Sequence, residues 1–217
     1  MKNPQSPLSP RSPQSKAGYE YLLAYKITVP IYDYTVMFCK RFRRFLSSKR
    51  TYDQMVQAAR SGTTNIAEGN QQASLEGYIK LICVNKASLE ELLKDFLSIA
   101  RQHRIPIWEK DKAVREIREI REIWEIIRKT PTLPHHPNFP HLPDNSEVAL
   151  NLMLTLLHQA IYLQQKLKSS LEQKFVREGG FRENLFRARL AYRRVPGGTR
   201  QARRRMVLDR RRNSRHP

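Results

Sequence analysis

The stretch Tyr52–Leu92, YDQMVQAARSGTTNIAEGNQQASLEGYIKLICVNKASLEEL, decides the fold. Its first half reads as a helix with small residues, Ala58, Ala59, Ser61 and Gly62, where a second helix must come close. Ala67, Glu68 and Gly69 are expected to close that helix, with Gly69 as a left-handed C-terminal cap, since glycine alone takes positive φ without cost. A polar bend, Asn70 to Ser74, follows, and Ser74 is the expected N-cap of the next helix. There the apolar positions 75, 79, 82, 89, 93, 96 and 100 keep the spacing of one buried helical face. The pair reads as a tight helical hairpin onto which the remaining chain packs.

The hairpin also carries a resemblance. Gln57-Ala58-Ala59-Arg60-Ser61, Asn65-Ile66-Ala67-Glu68-Gly69 and Ala87-Ser88-Leu89-Glu90-Glu91-Leu92 resemble the motifs of a bacterial four-helix-bundle family. That family includes the ribosomal-RNA intervening-sequence proteins and the accessory variability determinants of diversity-generating retroelements. Tyr78 stands at the family's aromatic position, and Ala87 replaces the usual glycine before Ser-Leu. Leu156-Leu157-His158-Gln159-Ala160 through Gly179-Gly180-Phe181-Arg182-Glu183-Asn184-Leu185 is similar to the C-terminal suffix extension of one branch. The similarity covers roughly residues 19 to 194. It implies an all-α antiparallel up-down four-helix bundle whose fourth helix is interrupted and extended. It also implies a ring-like homopentamer with a positively charged surface, and RNA or a reverse transcriptase as partners. The family brings no catalytic signature. Arg60, Asn65, Glu68, Gly69, Ser88, Leu89 and Glu91 are its structural motif residues here, and Arg60, Asn65 and Glu68 are expected to fix the hairpin by hydrogen bonding to helix ends.

Outward from the hairpin, the domain reading runs as follows. Residues 1–18 are a Ser/Pro-rich leader that cannot offset ordering entropy by burial, and disorder is expected. Residues 19–129 form the bundle core. Its first helix, 19–46, carries Leu22, Tyr25, Val29, Tyr32, Val36 and Cys39, with Ile31, Tyr34, Phe38, Phe42 and Phe45 widening the face. The tyrosines read as core rather than as a base-stacking stripe. Pro30 either kinks this helix or marks its start nearby. The polar connection 47–51 leads to a second helix from about Tyr52 to Ala67, and the third runs from about Leu75 to His103. Within it Lys86 snorkels outward or meets a carboxylate, and His103 complements the helix dipole. The fourth, from about Trp108 to Lys129, contains three successive Arg-Glu-Ile triplets, with Arg115–Glu119, Arg118–Glu122 and Arg121–Glu125 as i, i+4 pairs.

Residues 130–145 are a proline-rich insertion. His135, His136 and His141 lie in it without acidic or thiol partners at ligand spacing, so no metal site is expected, and no cofactor. Asp144-Asn145-Ser146-Glu147 caps a long helix to about Arg177, within a suffix segment 146–195 that ends in one more short helix. Its two apolar stripes require cover on two sides, one from the bundle and one from a neighbouring subunit. Residues 196–217 are an Arg-rich tail read as disordered.

The chain carries 40 Lys and Arg against 20 Asp and Glu, a formal +20. Residues 182–217 hold thirteen arginines against Glu183 and Asp209, which is +11 of that total. Such a balance points to polyanions. The candidate nucleic-acid-binding residues are Lys40, Arg41, Arg43, Arg44, Lys49 and Arg50, then Arg187, Arg189, Arg193, Arg194, Arg203, Arg204, Arg205, Arg210, Arg211 and Arg212. Cys39 and Cys83 are both expected to be buried thiols in a reducing cytosol. No apolar run is long enough to span a bilayer and the leader lacks a secretory core, so a cytoplasmic protein with no membrane partner is expected.

Together these features lead to a non-enzymatic, self-associating nucleic-acid adaptor, RNA before DNA. A structural bundle that binds only protein is the alternative. A ribonuclease of the HEPN kind, using Arg128 and His135, is a third reading, weakened by Thr130, Pro131 and Pro134 between the pair.

Overall fold

The computed structural model describes residues 18–134 and 137–194. Among these the chain is all helical, with no strand. A 3-10 turn, Gly18–Tyr21, precedes α1, Leu23–Lys26, and α2, Thr28–Arg41. A second 3-10 turn, Arg43–Phe45, leads to α3, Lys49–Asn70, and α4, Leu75–His103. Then come α5, Lys110–Glu116, α6, Arg118–Lys129, α7, Ser146–Glu178, and α8, Phe181–Arg194. The expected leader 1–18 and tail 196–217 lie outside the described residues, apart from Gly18.

Pro30 explains the first break. Without an N–H it cannot bond the carbonyl four residues back, that of Lys26, and there α1 ends. Pro30 itself sits in the first turn of α2, where a helix does not need that donor. The buried face of α2 is Ile31, Tyr34, Phe38 and Phe42; Val29, Tyr32 and Val36 are only half-buried. Phe38 meets Phe96 of α4 edge-on at 5.0 Å.

Two expectations for α3 are corrected. The helix begins at Lys49, because the Ser48 hydroxyl accepts the Thr51 N–H at 3.2 Å and caps it three residues earlier than the apolar pattern suggests. At the other end Gly69 is no left-handed cap: it lies inside the helix, and its need for glycine is steric. A Cβ there would stand 2.5 Å from Cδ2 of Tyr78 on α4, and one on Gly62 would stand 2.6 Å from Cδ2 of the fully buried Leu89. The two glycines thus let α3 and α4 run antiparallel at close range. Asn85 ties them, donating to the Gly62 carbonyl at 2.6 Å.

The helix expected over Trp108–Lys129 is broken. Ile117 is extended at φ −87°, ψ 99°, between α5 and α6. A three-residue repeat falls 60° behind on each triplet of an α-helix, so an unbroken helix would carry its isoleucines around the surface. The break keeps Ile117, Ile120, Ile123 and Ile127 all buried. It also separates Arg115 from Glu119; Arg118–Glu122 forms at 2.9 Å, and Glu125 pairs with Lys129 rather than Arg121.

In α7 the Asn145 side chain accepts from the N–H groups of Glu147 and Val148. Residues 149–157 are buried without interruption, with α4, α2, α1 and α5 packed against α7 and α6 touching it more lightly. The principal packing partners of α4 are α3 and α7, and those of α2 are α3 and α7, whereas α6 touches α7 only briefly.

The proline-rich segment straps α2. Tyr34 donates to the Pro140 carbonyl at 2.5 Å, Arg41 donates to the Leu142 carbonyl at 2.7 Å, and Leu142 is buried. Lys26, an unforeseen buried lysine, donates to the carbonyls of Ile127 and Thr130 and so caps the end of α6. Burial holds its pKa below the ordinary lysine value.

Candidate nucleic-acid interface

Neighbouring helix ends build a basic surface. The last turn of α2 supplies Lys40 and Arg41, the 3-10 turn supplies Arg43 and Arg44, and the first turn of α3 supplies Lys49 and Arg50. All six are exposed. The last turn of α4 joins them through His103, whose Nε2 lies 3.2 Å from the Phe45 carbonyl and whose ring packs 4.7 Å from the Phe45 ring. This contact brings the exposed Arg101 and Arg104 to the same end. Neither arginine was among the candidates read from the sequence; the RQHR run at 101–104 was the available clue. His103 thus anchors the end of α4 to the neighbouring turn rather than merely complementing a dipole.

The electrostatics distinguish these cations. Arg41 is committed to the strap, donating to the carbonyls of Leu142 and Pro143 and pairing with Asp144 at 2.9 Å. It is a positioning residue. Lys40, Arg43, Arg44, Lys49, Arg50, Arg101 and Arg104 make no ion pair among the described residues. Arg44 instead lies over the Phe45 ring at 5.0 Å. Lys49 and Arg50 sit at a helix N-terminus, where the backbone dipole disfavours positive charge. Their charge therefore gains from an external anion. Arg104 closes α4 in the left-handed region at φ 54°.

The C-terminal candidates are elsewhere. Arg187 and Arg189 lie on α8, exposed, with Arg187 opposite Glu183 at 3.8 Å. Arg193 is exposed near the end of α8, and Arg194 is its last residue. Gly180, just before α8, packs against Glu76 in the first turn of α4. The basic end lies at the other terminus of α4, about 42 Å away at 1.5 Å per residue. The structure thus separates two groups that the sequence presents as one inventory. Arg203, Arg204, Arg205, Arg210, Arg211 and Arg212 lie outside the described residues.

The motif residues do not form a polar lock. Arg60 and Glu68 are exposed and Asn65 is half-buried, and the bond across the hairpin comes from Asn85 instead. Leu89 is core, and Ser88 donates to Val84 of its own helix. A polar groove of about 740 Å³ runs between α3 and α4, and Arg50, Asp53, Ser88, Glu91 and Asp95 are among its lining residues. Burial first, and the Glu91 charge second, push the Asp95 carboxyl up. With three acids against Arg50 and Lys94, this groove is a poor path for a phosphate backbone.

Of the ribonuclease pair, Arg128 stacks 5.5 Å over Trp124, and His135 lies outside the described residues. Among the described residues no three metal-ligating side chains come together. Cys39 is buried, but Cys83, expected inside, is exposed, because it falls on the outer face of α4 beside Val84. No helix in the described residues is long and apolar enough to cross a membrane. No protein-family model, curated protein or solved structure matches the chain.

Proposed function

We propose that the chain is a non-enzymatic, self-associating adaptor that holds nucleic acid by its phosphates. The observation that carries this reading is the unpaired cation cluster of Lys40, Arg43, Arg44, Lys49, Arg50, Arg101 and Arg104 at one end of the helical body. Each such cation that neutralises a phosphate releases counterions, so binding is tight at low salt and falls steeply as salt rises. The arginines of α8 and of the sequence beyond it add a second basic region. Two regions on one chain, multiplied by self-association, raise avidity without requiring sequence-specific contacts.

The finer architecture in this proposal is an up-down-up-down bundle of α2, α3, α4 and α7, with α5 and α6 as an insertion laid on α7. The packing of each of these four helices on two of the others supports it. RNA rather than DNA, a pentameric ring, a cytoplasmic setting and a reverse-transcriptase partner rest on the family resemblance. The test is binding of single- and double-stranded RNA and DNA across a salt series, with the oligomeric mass recorded alongside. A well-formed protein that binds none of them at low salt overturns the proposal.

A further inference from the structure

The geometry points to a second docking surface, for an acidic amphipathic helix of a partner protein, in the trough between α6 and α7. The trough has a volume of about 1220 Å³. From α7 it is lined by a stripe at helical spacing between Asn151 and Leu163, with His158 and Tyr162 as its exposed members. That stripe is about 18 Å long at 1.5 Å per residue, or about three helical turns. The lining from α6 includes Arg121, Trp124 and Arg128, and Trp108 joins it from before α5.

The walls are set in advance. Trp108 donates its indole N–H to Glu147 at 2.6 Å, and Trp124 donates to Gln159 at 2.7 Å. Each indole is held by its ring nitrogen, so a partner loses little to reordering these walls. Leu23, Ile107 and Tyr162, all lining residues, are 41%, 55% and 61% exposed, so apolar surface is left uncovered along the rim. Uncovered apolar side chains from three separate segments suit an extended apolar partner surface. This is the helix-in-groove mode of recognition.

Charge selects the sign of the occupant. Lys110, Arg121, Arg128 and Lys129 edge the trough, and the single carboxylate among its lining residues, Glu125, is already paired with Lys129. The surplus positive rim complements glutamates flanking an apolar stripe. It disfavours the chain's own basic α8. Nucleic acid fits less well, because Lys112 and Arg128 already stand over the Trp108 and Trp124 rings at 4.4 and 5.5 Å, on faces a base would need.

Trp108 and Trp124 are the chain's only tryptophans and both line the trough, so selectively excited tryptophan emission reports on it. The probe is a 14-residue helix-stapled peptide lacking tryptophan, with leucines at i, i+4, i+7 and i+11 and glutamates between them. A twin carries lysines in place of the glutamates. The expected result is a saturable emission shift with the acidic peptide, at least tenfold tighter than with its twin. Binding should weaken at least tenfold in Arg121→Glu/Arg128→Glu and in Tyr162→Glu, a variant of an exposed residue, with thermal unfolding unchanged. Nucleic-acid binding at the basic end should be unaffected by these variants. No shift with either peptide, equal shifts with both, or a shift produced by a single-stranded oligonucleotide in their place would overturn the inference.

Discussion

The ring of Tyr78 packs directly on the backbone of Gly69, leaving 2.5 Å between its Cδ2 and any Cβ placed there. Gly62 and Leu89 repeat the relationship two helical turns away, at 2.6 Å. Both glycines sit inside α3, where alanine would otherwise be favoured by about 1 kcal/mol. Overpacking outweighs that gain, since Leu89 is fully buried. Gly62→Ala should therefore destabilise by roughly 1–2 kcal/mol net, and Gly69→Ala by a similar amount or less, because Tyr78 is only half-buried. Urea unfolding of the two variants checks this. Stabilisation by either alanine would contradict the close-approach account.

Cys39 gives a pH dependence. Burial pushes its thiol up to about 12, with the Asp95 charge adding to the shift. The unfolded thiol ionises near 9.0. The folded state therefore holds the proton more tightly, and this contribution to stability is complete below about pH 9 and lost as pH rises towards 12. Relative to Cys39→Ala, wild type should lose roughly 1 kcal/mol per pH unit across that window. At neutral pH a thiol reagent should modify the exposed Cys83 quickly and Cys39 only after unfolding. Fast reaction of both thiols would contradict the burial of Cys39.

Arg41 and Arg43 are near neighbours in sequence with different work to do. Arg41→Ala removes donors to two strap carbonyls and the partner of Asp144. It should lower stability by about 1 kcal/mol and speed proteolysis within 130–145. Arg43→Ala should leave both unchanged and instead reduce the salt slope of nucleic-acid binding by about one. A reversal of these two phenotypes would remove the distinction drawn between positioning and binding cations.

The helices with strong apolar spacing were legible in the sequence: α4 and α7 begin at the capping residues Ser74 and Asn145 that local chemistry indicates. Three features were not. Gly69 has two physical uses, positive φ and close approach, and only the neighbouring Tyr78 ring decides between them. The triplet repeat at 115–123 drifts around an unbroken helix, but the pattern alone does not say that the chain resolves the drift by a break at Ile117. The burial of Lys26 has no local sign, because nothing nearby in sequence indicates that the end of α6, about 100 residues on, requires a donor. For the candidate site, the arginines were visible by composition alone. Their division between two ends of α4 was not, because it depends on where Gly180 and His103 pack.

The central claim is that phosphate binding belongs to the end of the body where α2, α3 and α4 terminate. The most direct measurement is the salt dependence of RNA binding for three proteins. These are the full chain, a form ending at Val195, and a full-length Arg43→Glu/Arg44→Glu/Lys49→Glu/Arg50→Glu variant whose fold is verified by circular dichroism. The account predicts that the truncated form still binds with a steep salt slope, whereas the quadruple variant loses most of its affinity and flattens the slope. Full affinity in the quadruple variant, with binding lost on truncation, would contradict it and place the nucleic-acid site in the C-terminal arginines alone.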